Sequence, residues 1–151
     1  MKRKNKPFNV DNAEDSTGFL IWQLTSVWQR SVKIELEAYD LTHSQFVVLA
    51  SAHWLTLQLQ DVTQIALSHH TKIDPMTISG VLKKLTHKKL ITRIEHPTDT
   101  RAKTVLLTKK GQEIVKKAIA TVEKFDKDFF SKLKSGLPSF NKSLVKLLDQ
   151  E

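Results

Sequence analysis

The chain has no cysteine. That absence excludes disulfides, thiolate metal sites and thiol-based oxidant sensing together. Two methionines leave little room for a Met-based sensor. Glycine and proline are scarce, at four each among 151 residues, which favours helices over a turn-rich β-sandwich. No apolar run is long enough for a transmembrane helix. The basic start MKRKNKPFNV is not followed by the apolar region of a secretory signal, so the expectation is a cytoplasmic chain with no membrane partner. Catalytic signatures are missing too. Ser, Asp and His occur without a nucleophile elbow, a phosphate-binding loop or a paired-carboxylate motif. The expectation is no enzyme and no cofactor.

What is present suffices for one domain with a real core: 40% of residues are apolar and 26% charged. The formal charge is +8, and it is unevenly placed. Residues 72–110 hold ten Lys or Arg against three acids, a net +7. Lys2, Arg3, Lys4 and Lys6 add four more, so the remainder of the chain is acidic at −3. A concentrated basic segment reads either as a solvated face or as a footprint for a polyanion. Its placement on the local structure decides between them.

Residues 1–15 are polar, charged and aperiodic, and read as a flexible basic arm. Phe19, Leu20, Leu24, Val27, Trp28, Ile34 and Leu36 then recur mostly at spacings of three and four, which predicts a long helix over about 17–38 with more than one apolar face. Such a helix packs against its own domain and has a face left for something else, such as a second subunit. Thr42 with Gln45 forms a capping-box pattern opening a helix to about residue 56. Asp61 or Thr63 opens a shorter one. Asp74-Pro75 is a strong start signal for a helix to about Lys89. Within it Ile78, Val81, Leu82 and Leu85 form one core-facing stripe, leaving Met76, Ser79, Gly80, Lys83 and His87 opposite, with Thr77 and Lys84 on the flanks. ITRIE and TVLLT read as a hairpin around the turn HPTDTRAK, residues 96–103. Thr108 caps a long helix over about 109–134, Gly136 and Pro138 stop it, and a last helix covers about 139–149.

Three helices, a helix with a cationic outer face and a β-hairpin make a winged helix-turn-helix within a mainly α chain. A helix start fits the major groove with its residues against base edges. Cations on either side meet phosphates, and an arginine on a neighbouring hairpin tip suits the negative potential of a narrow minor groove. Here Pro75, Met76, Thr77, Ser79, Gly80 and Lys83 are the candidates for the major groove, Arg101 for the minor groove, and Lys72, Lys84, Lys88, Lys103 and Arg93 for phosphates. The alternative for Arg101 is a local pair with Asp99 in a solvated turn.

LTHSQFVVL, TQIALSHHTKIDPMTISGVLKKLTHKKLITR and HPTDTRAKTVLLTKKG resemble, in order and spacing, the multiple-antibiotic-resistance-regulator (MarR) family of bacterial transcriptional regulators, over about residues 16–135. The resemblance implies an obligate homodimer in which residues 16–40 and 110–151 form a dimerisation region around a winged helix-turn-helix at 41–109, all one domain. It implies binding to a palindromic operator on double-stranded DNA, with repression relieved by a small aromatic or phenolic ligand. The family's acidic-x-arginine wing motif falls at Asp99 and Arg101, where the aspartate can brace the arginine. Three positions depart from the pattern. Thr100 stands where relatives often have a second arginine, Lys89 where many have glycine, and Gly80 where a base-contacting side chain is common. Thr100 and Gly80 motivate an alternative, a ligand-binding or protein-interaction module with only non-specific DNA binding. Phe19, Trp22, Phe46 and Trp54 are candidates to line a ligand pocket, with plain core packing as the other reading. The six histidines form no HxxxH pair, and no metal site is expected.

Overall fold

The structure is a computed structural model and describes residues 7–149. The cations at positions 2–6, in the expected arm, lie outside the described residues. Within 7–15, Ala13–Asp15 form a 3-10 helix whose start is closed by reciprocal Asn12 and Asp15 contacts.

Six helices and one hairpin follow: α1 (Thr17–Leu36), α2 (His43–Leu57), α3 (Gln64–Thr71), α4 (Pro75–His87), β1 (Ile91–Glu95), β2 (Lys103–Leu107), α5 (Lys109–Phe130) and α6 (Leu137–Leu148). The caps read from the sequence are made by the side chains expected. Thr42 accepts from the Gln45 amide while Gln45 reaches back, Thr63 accepts from Ala66, Asp74 from Thr77 and Thr108 from Gly111. Each satisfies an amide that the helix itself leaves unpaired. Of the two candidates to open α3, Thr63 is the cap. Asp61 instead pairs with His96.

The core gathers on α2, whose Phe46, Val48, Leu49, Ala52 and Leu55 are all buried. Around it stand Val32 and Leu36 of α1, Leu67 of α3, the Ile78, Val81, Leu82 and Leu85 stripe of α4, Leu90, Ile91 and Val105 of the hairpin region, and Val115, Ala118 and Val122 of α5. Complete burial of such side chains stabilises by about 1.5–3 kcal/mol each. Two polar contacts tie α1 and its exit turn to α5. Trp28 Nε1 donates to Asp126 Oδ1 at 2.8 Å, and Tyr39 Oη meets Thr121 Oγ1 at 2.5 Å.

The hairpin is antiparallel, with Arg93 opposite Val105. The Val105 amide also donates to the Val62 carbonyl at 2.7 Å, and Thr63 forms an isolated bridge to Thr104, so backbone bonds seat the wing against the start of α3. Where β2 runs into α5, Gly111 is buried with the Leu90 carbonyl so near that a Cβ would stand 2.0 Å from its oxygen.

The C-terminal region departs from the sequence reading. α5 ends at Phe130 and continues as a 3-10 turn, Ser131–Gly136, kinked at Lys134. Pro138 does not act as a stop. It lies in the first turn of α6, where a missing N–H costs nothing. No residue of α6 is buried. The outer side of α1 is equally bare, with Trp22 71% and Ile34 66% exposed.

Candidate nucleic-acid interface

α4 presents the face expected of it. Its apolar stripe is buried, while Pro75, Met76, Thr77, Gly80, Lys83 and Lys84 are exposed and Ser79 is half-buried. Met76 is 85% exposed. Open space surrounds the position where a Gly80 Cβ would stand. The fold therefore does not require glycine there, although glycine in a helix costs about 1 kcal/mol relative to alanine. Asp74 takes both the Thr77 amide, at 2.9 Å, and its hydroxyl, at 2.6 Å. These hydrogen bonds hold its carboxyl below the ordinary carboxylate value and fix the first turn.

The wing tip is built around His96 and Asp99. His96 Nδ1 accepts the Thr98 and Asp99 amides at 3.3 and 3.2 Å, while its Nε2 meets Asp61 Oδ2 at 3.2 Å. A ring nitrogen that accepts carries no proton, so the other nitrogen is the donor to Asp61. Asp99 Oδ1 accepts the Arg101 amide at 3.0 Å. The aspartate thus braces the arginine through the backbone and leaves the exposed guanidinium to point outward.

Gln64 was not singled out in the sequence, yet it joins the two halves of this surface. Its Nε2 donates to the Pro75 carbonyl at 2.9 Å, and its Oε1 accepts from Arg93 Nη2 at 3.3 Å. The start of α4 and the root of the wing are held by one side chain. Gln64, Arg93, Asp99, Arg101 and Lys103 line a common cavity of about 500 Å³. These contacts span gaps of 11 and 29 residues, and local periodicity carries no signal for them.

Several expected site residues have other duties. Arg93 shares its face of β1 with buried Ile91 and pairs with buried Val105, so strand alternation turns it inward. It is half-buried, and its Nε is buried without a partner. Lys88 is no free phosphate ligand. Its ammonium donates to the Asp40 carbonyl and to Gln45 Oε1 at 3.1 Å, and it forms an ion pair with Asp40 Oδ2 at 3.2 Å. Lys72 is the left-handed residue that ends α3, at φ 60. Lys89 also has φ 60, a conformation that glycine adopts without strain and lysine does not. Lys83, Lys84, Arg101 and Lys103 remain exposed.

The four aromatic candidates do not meet. Phe46 and Trp54 line one cleft of about 580 Å³ together with His53 and Asp126. Phe19 lines a different hollow with Phe8 and Val10, and Trp22 lies bare on α1. The cause is the direction of α1, whose outer side turns away from α2. His43, which lines a separate hollow with Arg30 and Lys88, meets the Trp28 ring edge-on at 5.0 Å. Burial lowers its pKa from 6.5, and the Asp126 carboxylate offsets part of that.

A family model described as an ArnR1-like winged-helix domain matches residues 37–126. An HTH-type transcriptional regulator of Bacillus subtilis, YdcH, is 40% identical over 116 residues, covering 77% of this chain and 79% of that one. Solved structures share the fold at lower identity. MepR of S. aureus, in complex with DNA, has a TM-score of 0.80 at 23% identity, covering 91% and 98% of the two chains. A MarR-family regulator of Rhodococcus sp. RHA1 gives 0.80 at 22%, covering 91% and 96%. CouR of Rhodococcus jostii RHA1, bound to p-coumaroyl-CoA, gives 0.77 at 20%, covering 92% and 95%. The family model and the relative agree: the chain belongs to the winged-helix, HTH-type transcriptional regulators, a family of regulators and not of enzymes, and its fold is that of solved MarR-family structures.

Proposed function

We propose that this regulator acts as a homodimer on a palindromic operator, as a repressor that a small aromatic or phenolic ligand releases. The observation that carries the DNA-binding part is the Gln64 bridge, which makes the start of α4 and the root of the cationic wing a single surface. In this reading Pro75, Met76, Thr77, Ser79, Gly80 and Lys83 face the major groove, Arg101 enters the minor groove, and Lys72, Lys84 and Lys103 serve phosphates. Two half-sites stand about 34 Å apart, one turn of the duplex.

The dimer reading rests on the bare apolar sides of α1 and α6, which a lone chain would leave in water. In this reading 16–40 and 110–151 are the dimerisation region and 41–109 the winged helix-turn-helix. The ligand reading rests on the Phe46–Trp54 cleft, whose volume suits a small organic molecule, and on CouR, which holds an aromatic acyl thioester. Among the described residues no helix is long and apolar enough to cross a membrane, in keeping with a cytoplasmic regulator.

Selecting bound sites from a random duplex pool, with and without aromatic carboxylates and phenols, tests all three parts. A palindromic consensus occupied by two chains and lost on adding ligand supports them. Equal affinity for selected and random duplexes supports the second reading, a module with only non-specific DNA binding, which Gly80 and Thr100 favour.

A further inference from the structure

We infer that Lys88 is a positioning residue for DNA recognition. It is a latch that fixes the end of the recognition helix to the corner between α1 and α2, and it makes no contact with phosphate itself. The inference rests on the DNA-binding reading above.

An ammonium has three donors and no acceptor. Lys88 has three acceptors within reach: the Asp40 carbonyl, the Asp40 carboxylate at 3.2 Å and Gln45 Oε1 at 3.1 Å. Two of its N–H groups are bonded, the Asp40 carboxylate adds an ion pair, and the side chain is only 27% exposed. A phosphate could gain this lysine only by displacing those partners.

The Gln45 and backbone acceptors are themselves held. Gln45 is a buried polar residue, 4% exposed, and its Oε1 also takes the Thr42 amide in the cap of α2. The Asp40 carbonyl belongs to the left-handed residue, φ 52, that ends the turn after α1, while its carboxylate is 93% exposed. On the other side, Lys88 is the C-cap of α4, and its carbonyl accepts from Lys110 Nζ at 3.3 Å. One side chain therefore links the exit of α1, the start of α2 and the end of α4.

The apolar stripe of α4 presses that helix onto the core, but dispersion and burial are non-directional. They resist a small slide or rotation along the axis weakly. Directional, charge-assisted bonds at one end set that position. Since the start of α4 carries the groove-facing residues, a shift at its end displaces them all.

The test compares Lys88→Met, Lys88→Arg, Asp40→Asn and Lys84→Ala with the unaltered protein on a duplex selected from a random pool. Asparagine suits the left-handed backbone at position 40, so Asp40→Asn removes only the charge. The latch predicts that Lys88→Met binds roughly tenfold more weakly, the loss of one charge-assisted set, and Asp40→Asn about two- to threefold, since the exposed carboxylate is one partner of three. Their dependence of log Kd on log salt stays that of the parent, and Lys88→Arg recovers most of the affinity. Exposed Lys84→Ala instead lowers the salt slope by about one for each phosphate no longer neutralised. The inference is overturned if Asp40→Asn binds as tightly as the parent or tighter, as freeing a phosphate ligand would make it, or if Lys88→Met loses salt slope as Lys84→Ala does. Amide exchange at the end of α4, faster in both latch variants, checks the same interaction without DNA. Failure of the parent to bind any selected duplex would strike the DNA reading, while unchanged exchange would strike the latch.

Discussion

At the scale of single residues, chemistry and geometry divide what the sequence can tell. Arg101 was legible because a cation at a proline-led turn buries nothing, and it is exposed as expected. Its brace was legible by resemblance only, and the atom braced turns out to be the amide. The partners of Lys88 lie 43 and 48 residues away; a lysine in a basic segment looks like any other until the fold supplies acceptors. His43 gives a pH test. Burial lowers its pKa, so the folded protein favours the neutral ring. The unfolded chain then takes up the proton first as pH falls, and stability, full above 6.5, declines as the pH drops from there through the lowered value. Urea unfolding from pH 8 to 5 should show that decline, and His43→Phe should flatten it. An unchanged slope in the variant would remove His43 as its cause.

Elements were legible where a cap and a stripe agree. Asp74-Pro75 with the Ile78, Val81, Leu82 and Leu85 pattern placed α4 to within two residues of its end. Thr42 with Gln45 placed α2 as well. The region after Phe130 was not legible, since a 3-10 turn and a first-turn proline follow each other there without a cap signal. Gly111 is another silent case. In sequence it is a mild cost inside the first turn of α5, but in the fold it is the only residue that lets that turn lie on the Leu90 carbonyl. Gly111→Ala should therefore destabilise, by about 3 kcal/mol, the upper range for overpacking a rigid site. Chemical denaturation measures it, and a loss below about 0.5 kcal/mol, ordinary for a surface change, would mean that the junction yields easily.

For the whole molecule, the decisive feature is that one chain leaves two helices bare while gathering its cations elsewhere. Leu24 on α1 and Leu147 on α6 are 41% and 59% exposed, with no fold-internal reason for their apolar character. Changing both to glutamate should leave helical content intact and shift sedimentation from two chains to one. It should also weaken operator binding more than tenfold, because the second half-site is lost with the second copy. The sequence showed the apolar faces but not which of them the core would cover. Only the packing of α2 against α1, α4 and α5 reveals that. The central claim is that wing and recognition helix read the duplex together, and the dissociation constant of Arg101→Ala for the selected operator at fixed salt tests it most directly. The account predicts binding at least about tenfold weaker, as befits removal of a groove interaction worth about 1–3 kcal/mol, with the fold and the oligomeric state unchanged; a constant equal to that of the parent protein would contradict it.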